Sequence, residues 1–109
     1  MLFRSVYVEV DYWHALSERC LSFEWAHTVE YGRSGIRVNA VSPGLIARNG
    51  IEKNWPEGVA NWHERAPLHR MGDAADVADA VLFLLSPASR WISGVNLVVD
   101  GGMSTVSRW

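Results

Sequence analysis

The chain has 109 residues, 49% of them hydrophobic and 20% charged, with a formal net charge of −2. That length allows one domain with a small core, and the near-neutral balance, with no clustered Lys/Arg face, excludes the electrostatic footprint of a nucleic-acid binder. The sequence is too polar along its length for a membrane-spanning helix, so no membrane partner is expected.

Cys20 is the only cysteine. No intramolecular disulfide can form, which makes a reducing, cytoplasmic compartment the default and a small core residue the expected role for Cys20. Met1 to Ser5 show no signal-peptide pattern. Leu2-Phe3-Arg4-Ser5 is what the end of a common sequencing adapter encodes in one frame, which suggests an assembly scar.

Val6, Val8 and Val10 alternate with Tyr7 and Glu9, a strand signal. From about His14 to Tyr31 a helix is expected, with Leu16, Cys20, Phe23 and His27 at three- and four-residue spacing and Gly32 and Gly35 as the stop. Gly35 to Val41 then reads as a strand buried on both faces, because no charge follows Arg37, and Ser42-Pro43-Gly44 ends it abruptly. Leu45 to Asn54 reads as irregular. Asn54 followed by Glu57 resembles a capping box, with Pro56 in the first turn of a short helix that puts Trp55, Val59 and Trp62 on one face and stops before Pro67.

Asp73 is the expected N-cap of the strongest helix, with Asp76 in its first turn. Val77, Val81 and Leu84 mark the buried stripe, joined by Ala78, Ala80 and Leu85, and Ser86-Pro87 stops it. Val95 to Asp100 reads as another buried strand, closed by Gly101-Gly102. Strand, helix, strand, helices, strand in that order predicts an α/β chain with a small parallel sheet of two to three strands and helices on its faces. In such sheets ligands bind beyond the carboxyl ends of the strands, so the loop beginning at Ser42 is where chemistry is expected. From the residues alone, Pro43 and Gly44 read equally well as a strand terminator.

Glu30 and Gly35-Ile36-Arg37-Val38-Asn39-Ala40-Val41-Ser42-Pro43-Gly44 resemble the sixth strand and nicotinamide-side loop of the short-chain dehydrogenase/reductase family. Pro67-Leu68-His69-Arg70-Met71-Gly72, Asp76-Val77-Ala78, Phe83-Leu84-Leu85-Ser86, Ile92-Ser93-Gly94 and Leu97-Val98-Val99-Asp100-Gly101-Gly102 follow in that family's order, in the style of its 3-oxoacyl-(acyl carrier protein) reductase branch. The resemblance runs from about Val29 to Gly102. It implies a partial Rossmann-like fold in which residues 29–109 are the C-terminal part of the domain, NAD or NADP as cofactor, and a small-molecule carbonyl or alcohol as substrate. It also implies a homo-oligomer built through the last helix and strand.

The resemblance makes Pro43, Gly44, Ile46 and Arg48 the expected cofactor-binding residues. In the family the backbone at the position of Ile46 bonds the nicotinamide carboxamide, and position 48 usually holds threonine. Arg48 could hold a phosphate as a fork donor or lie solvated at the surface. Two family features are missing. None of the nine glycines forms Gly-x-x-x-Gly-x-Gly, the turn that brings backbone N–H groups to a pyrophosphate. The Tyr-x-x-x-Lys pair, whose ammonium lowers the tyrosine pKa, would fall at Trp13 and Ser17. Tyr12 has Leu16 four residues on, and Lys53, the only lysine, has Asn49 four residues before it.

Residues 1–28 are therefore set apart, as scar, out-of-frame translation or diverged helix. The chain is expected to be inactive alone, with no catalytic residue of its own, and the alternative is a non-catalytic interaction module or a marginally stable fragment. Asn39 is expected to be structural, bonding nearby backbone, and Asp100 a turn former. His14, His27, His63 and His69 lack metal-site spacing, so no metal is expected. Trp55, Trp62 and Trp91 are candidates for a substrate pocket or for packing.

Overall fold

The computed structural model describes residues 6–10 and 26–106, the first of these segments by its backbone. Three strands, β1 (Val6–Val10), β2 (Arg37–Pro43) and β3 (Asn96–Val99), lie side by side in chain order. All pairs are parallel, with Val6 to Val10 opposite Arg37 to Val41 and Ala40 to Pro43 opposite Asn96 to Val99. Central β2 is buried from Val38 through Pro43. A strand covered on both faces cannot show polar alternation, and this is why no charge follows Arg37 and the polar Asn39 and Ser42 within it are themselves buried.

Helix α1 is described over 26–32 and ends where Gly35 adopts φ 74°, so that its N–H reaches the Gly32 carbonyl at 2.9 Å. A positive φ costs glycine nothing, which is the stop expected there. The rest of the helix expected from His14, and Cys20 with it, lies outside the described residues.

After β2 the chain forms α2 (Ile51–Asn54) and α3 (Pro56–Arg65). The stretch expected to be irregular thus contains a helical turn. Gly50 at φ 81° turns the chain and Ile51 buries its side chain to 6% exposure, which anchors that turn. The capping box expected at Asn54 and Glu57 does not form. Asn54 is already the last residue of α2, and Trp55 occupies the cap with no side-chain bond. Its indole instead lies over Gly58, where any Cβ would fall 2.0 Å from the ring.

Helix α4 (Ala74–Leu85) begins as expected: Asp73 Oδ1 accepts from the Asp76 N–H at 3.1 Å, and Asp76 Oδ2 accepts from the Asp73 N–H at 2.8 Å. Two orphan amides are satisfied reciprocally. Val77 and Leu84 join Val41 as the core, with Ile46, Ala80, Val81, Ile92, Val95, Leu97 and Val99 packed around them. Ala78 and Leu85, expected in that stripe, are exposed instead. Each follows a core residue by one position and is rotated from it by about 100°, off the packed face.

Three connections tie this layer together. Arg37 donates to the carbonyls of Leu84 at 2.9 Å, Ser86 at 3.4 Å and Ile92 at 3.1 Å, supplying from the sheet the cation that the last turn of α4 lacks. Fully buried Ser89 donates its hydroxyl to the Leu84 carbonyl at 2.8 Å. Asn39, also fully buried, donates Nδ2 to the Ile92 carbonyl at 3.2 Å and accepts the Val95 N–H on Oδ1 at 3.1 Å. This is the structural role expected of it. β3 is half-buried rather than buried, with Val98 39% exposed, because it has a ladder partner on one side only among the described residues.

Candidate functional site at the end of the central strand

The carboxyl ends of β2 and β3 finish level, Pro43 opposite Val99, and the Gly44 N–H reaches the Val99 carbonyl at 2.9 Å. Beyond that point the chain makes one isolated parallel bridge, Ile46 to Gly72. Gly72 donates to the Leu45 carbonyl at 2.9 Å and accepts the Ala47 N–H at 2.8 Å. A parallel bridge of this kind uses the polar groups of the residues flanking Ile46 and turns those of Ile46 itself the other way. Among the described residues the Ile46 N–H and C=O have no partner, and the residue is half-buried. A donor and an acceptor side by side on one residue can hold a primary amide from both ends.

The sequence-predicted residues are brought together along this segment. Pro43 is buried, Gly44 and Ile46 are half-buried, and Arg48 is exposed, its guanidinium without a hydrogen bond or ion pair among the described residues. Gly44 sits in a tight place. A Cβ there would lie 2.7 Å from Trp62 Cη2 and 2.8 Å from Asp100 Cβ. The Trp62 indole is fixed from its other end, Nε1 donating to the Arg70 carbonyl at 3.0 Å.

A cavity of about 490 Å³ opens beside this segment, lined among others by Leu45, Trp62, Leu68, Val98 and Val99 with Arg70, Asp76 and Asp100 at its polar margin. Those polar groups are already engaged. Arg70 grips Asp76 with two bonds of 2.7 and 2.9 Å. The Arg70 guanidinium, and after it the Asp73 amide, hold the Asp76 carboxyl below the usual carboxylate range, and the same pairing raises Arg70. Asp100 accepts the Gly102 N–H at 2.9 Å on one oxygen and the Ser104 N–H at 2.7 Å on the other, which is the turn role expected of it.

Of the three tryptophans considered for a pocket, Trp62 lines the cavity. Trp55 is spent on Gly58, and Trp91 is 98% exposed. His63 and His69 meet without making a metal site: each ring Nδ1 faces the other residue's carbonyl, at 3.4 and 3.0 Å, with His69 held at φ 53°. Among the described residues no group of three or more His, Cys, Asp or Glu is placed to hold a metal ion, and no helix is long and apolar enough to cross a membrane. Trp13 and Ser17, with Tyr12 and Leu16, lie outside the described residues.

Two contacts are silent in the sequence. Gly72 opens the motif before α4 but nothing local shows that its backbone zips onto residues 45–47, and the Trp62 contact with Gly44 spans two elements. A glycine with no turn to explain it, next to the N-cap Asp73, is the one signal that could have drawn attention to Gly72.

A family model described as enoyl-(acyl carrier protein) reductase matches residues 20–104. The galactitol 2-dehydrogenase (L-tagatose-forming) of Cereibacter sphaeroides is 42% identical over 86 residues, covering 77% of this chain and 32% of that protein. A 3-oxoacyl-[acyl-carrier-protein] reductase of Buchnera aphidicola is 40% identical over 83 residues, covering 76% of this chain and 34% of that one. The chain thus spans about a third of the length of the curated relatives it matches. Among solved structures, an oxidoreductase of the short chain dehydrogenase/reductase family from Burkholderia thailandensis superposes with TM-score 0.81 at 29% identity, over 94% of this chain and 45% of that one. A candidate 2-deoxy-D-gluconate 3-dehydrogenase from Agrobacterium tumefaciens, with bound NADP, superposes with TM-score 0.80 at 27% identity, over 94% of this chain and 47% of that one.

Proposed function

The chain belongs to the short-chain dehydrogenase/reductase family, and from that premise we infer that it supplies the nicotinamide side of an NAD(P)-dependent oxidoreductase acting on a small-molecule carbonyl or alcohol. The observation that carries this reading is the N–H and C=O of Ile46, without a partner among the described residues, beyond the carboxyl end of the central strand. They would hold the carboxamide of the nicotinamide ring, with Pro43 and Gly44 forming the wall beneath it. Arg48, exposed and unpaired among the described residues, is available to a phosphate of the same cofactor.

The cofactor, when bound, supplies the redox chemistry; the chain's own part is to orient the ring and to keep the segment rigid. Gly72 contributes rigidity by fixing the bonds on either side of Ile46, so the carboxamide site needs no reorganisation on binding. The sequence holds neither Gly-x-x-x-Gly-x-Gly nor Tyr-x-x-x-Lys, so this chain by itself is a cradle without a proton donor. Residues 29–109 are read as the C-terminal portion of the fold, with β1 (Val6–Val10) pairing beside β2. The lone Cys20 supports a reducing, cytoplasmic setting.

Incubating the purified chain with NADH or NADPH and a panel of ketones tests the assignment, and no turnover is the expected result. Turnover lost on changing Pro43 or Gly44 would overturn the claim that the chain lacks its catalyst.

A second reading has its own observation. Helix α4 leaves Leu82 62%, Phe83 42% and Leu85 46% exposed, and Val98 on β3 is 39% exposed. Exposed apolar side chains on the last helix and strand support self-association through these elements. Light scattering after size exclusion should show a dimer or larger; a strict monomer argues against it.

A further inference from the structure

The reading of Gly44 to Ile46 as the ring-binding segment leaves open what holds that segment in place on its outer side. We propose that Trp62 is a positioning residue for it: the indole is the surface on which Gly44 is seated, so helix α3 and the segment shift as one body. This rests on the proposed cofactor site, but its geometry is independent of any ligand.

Three observations converge. The ring's far edge lies so close to Gly44 that a Cβ there would be 2.7 and 2.8 Å from two of its carbons, closer than real Cβ contacts fall. The ring cannot swing away freely, because its Nε1 donates to the Arg70 carbonyl at 3.0 Å. The Arg70 backbone is itself held, on one side by the exchange between His63 and His69 at 3.0 and 3.4 Å, on the other by Gly72 two residues on, which is bonded to Leu45 and Ala47. The path therefore closes on itself: Gly44 touches Trp62, Trp62 binds Arg70, and the chain from Arg70 reaches Gly72, which grips both sides of Ile46.

His69, at φ 53°, is the one non-glycine residue with positive φ among those described, and it lies within this circuit. That left-handed conformation is unfavourable for a non-glycine residue, and it persists only where the surroundings fix it. The circuit thus joins an exposed helix to a backbone segment that must present two unpaired polar groups at a fixed angle. A shift of α3, the element lying over the cavity, would be passed to Ile46 through the Trp62 ring.

Amide hydrogen exchange of the ¹⁵N-labelled chain tests this. In the unmodified protein under low urea, the Trp62 indole proton and the amide protons of Gly44, Ala47 and Gly72 are expected to open in one step with a shared urea dependence. In Trp62→Ala those three amides should exchange faster by about tenfold or more while Ala40 and Val41 in β2 keep their rates. Leu68→Ala, which trims the same cavity at a side chain facing Gly101, should leave all of them unchanged. Separate opening of the indole and the three amides, or an equal rise at Ala40 and Val41, would overturn the coupling. Adding NADH separates the two ideas: coupled opening without any NADH effect on these amides keeps the role of Trp62 and removes the cofactor reading.

Discussion

Replacing Asn39 by alanine removes both of its side-chain bonds to the turn leading into β3. The side chain is 0% exposed, its Nδ2 reaches the Ile92 carbonyl at 3.2 Å, and its Oδ1 receives the Val95 N–H at 3.1 Å. The substitution strands the part-buried Val95 N–H at a cost of about 1–3 kcal/mol, while the Ile92 carbonyl keeps its bond from Arg37, so a loss of about 2 kcal/mol is expected. For a domain whose total stability is about 5–15 kcal/mol that is a large share. Urea unfolding followed by far-UV circular dichroism reads it directly. With a slope of about 2 kcal/mol per molar urea, the midpoint should fall by about 1 M. Asn39→Asp keeps the acceptor but loses the donor and buries a charge, so it should be no milder. A loss under about 0.5 kcal/mol for Asn39→Ala would show that these bonds do not hold the β2–β3 joint.

Other outcomes follow from the same contacts. Arg37→Met should destabilise the chain by about 1–3 kcal/mol in the same assay, because the carbonyls of Leu84, Ser86 and Ile92 lose their charged donor; an unchanged midpoint would mean water replaces the guanidinium. Asp76 is held below its ordinary pKa by Arg70 and the Asp73 amide, so its stabilising contribution is fully present above about pH 4, the unfolded carboxylate range, and is lost as pH falls toward its lower folded value. Asp76→Asn should flatten that acid limb of the stability–pH curve while leaving the neutral region sloped as before. Gly44→Ala meets Trp62 at 2.7 Å and Asp100 Cβ at 2.8 Å, and overpacking against the second, a backbone-proximal atom, should cost about 1–3 kcal/mol by thermal unfolding.

The fold was legible where one residue's local chemistry decides the outcome. Asp73 and Asp76 announce a helix start because their carboxylates bond amides three residues away, and Gly35 announces a stop because it alone takes φ 74° without cost. The absence of charge after Arg37 in β2 told of burial on both faces, and the element order told of parallel pairing. Where the deciding partner lies far off in the chain, the sequence was mute or misleading. Asn54 and Glu57 have capping-box spacing, but burial of Ile51 pulls Asn54 into the preceding turn. Leu85 is as apolar as Leu84, and only the position of the sheet tells which of them is core. At the site, the resemblance singled out Pro43, Gly44, Ile46 and Arg48, whereas the bridge to Gly72 and the Trp62 contact depend on tertiary placement across more than 15 residues of intervening chain.

The central claim is that Ile46 offers its backbone donor and acceptor to a nicotinamide carboxamide. A ¹H–¹⁵N titration of the chain with NADH tests it most directly. Without a phosphate-binding turn the affinity should be in the millimolar range, about −4 kcal/mol. The account predicts the largest amide shifts at Ile46, with smaller ones at Gly44 and Ala47; in 3-acetylpyridine dinucleotide, where methyl replaces the carboxamide's amino group, the Ile46 N–H response should persist on the retained carbonyl while the Ala47 shift, which senses the Ile46 carbonyl, is lost. Shifts scattered over the surface, or confined to the cavity beside Trp62 and Leu68 with Ile46 unmoved, would contradict it.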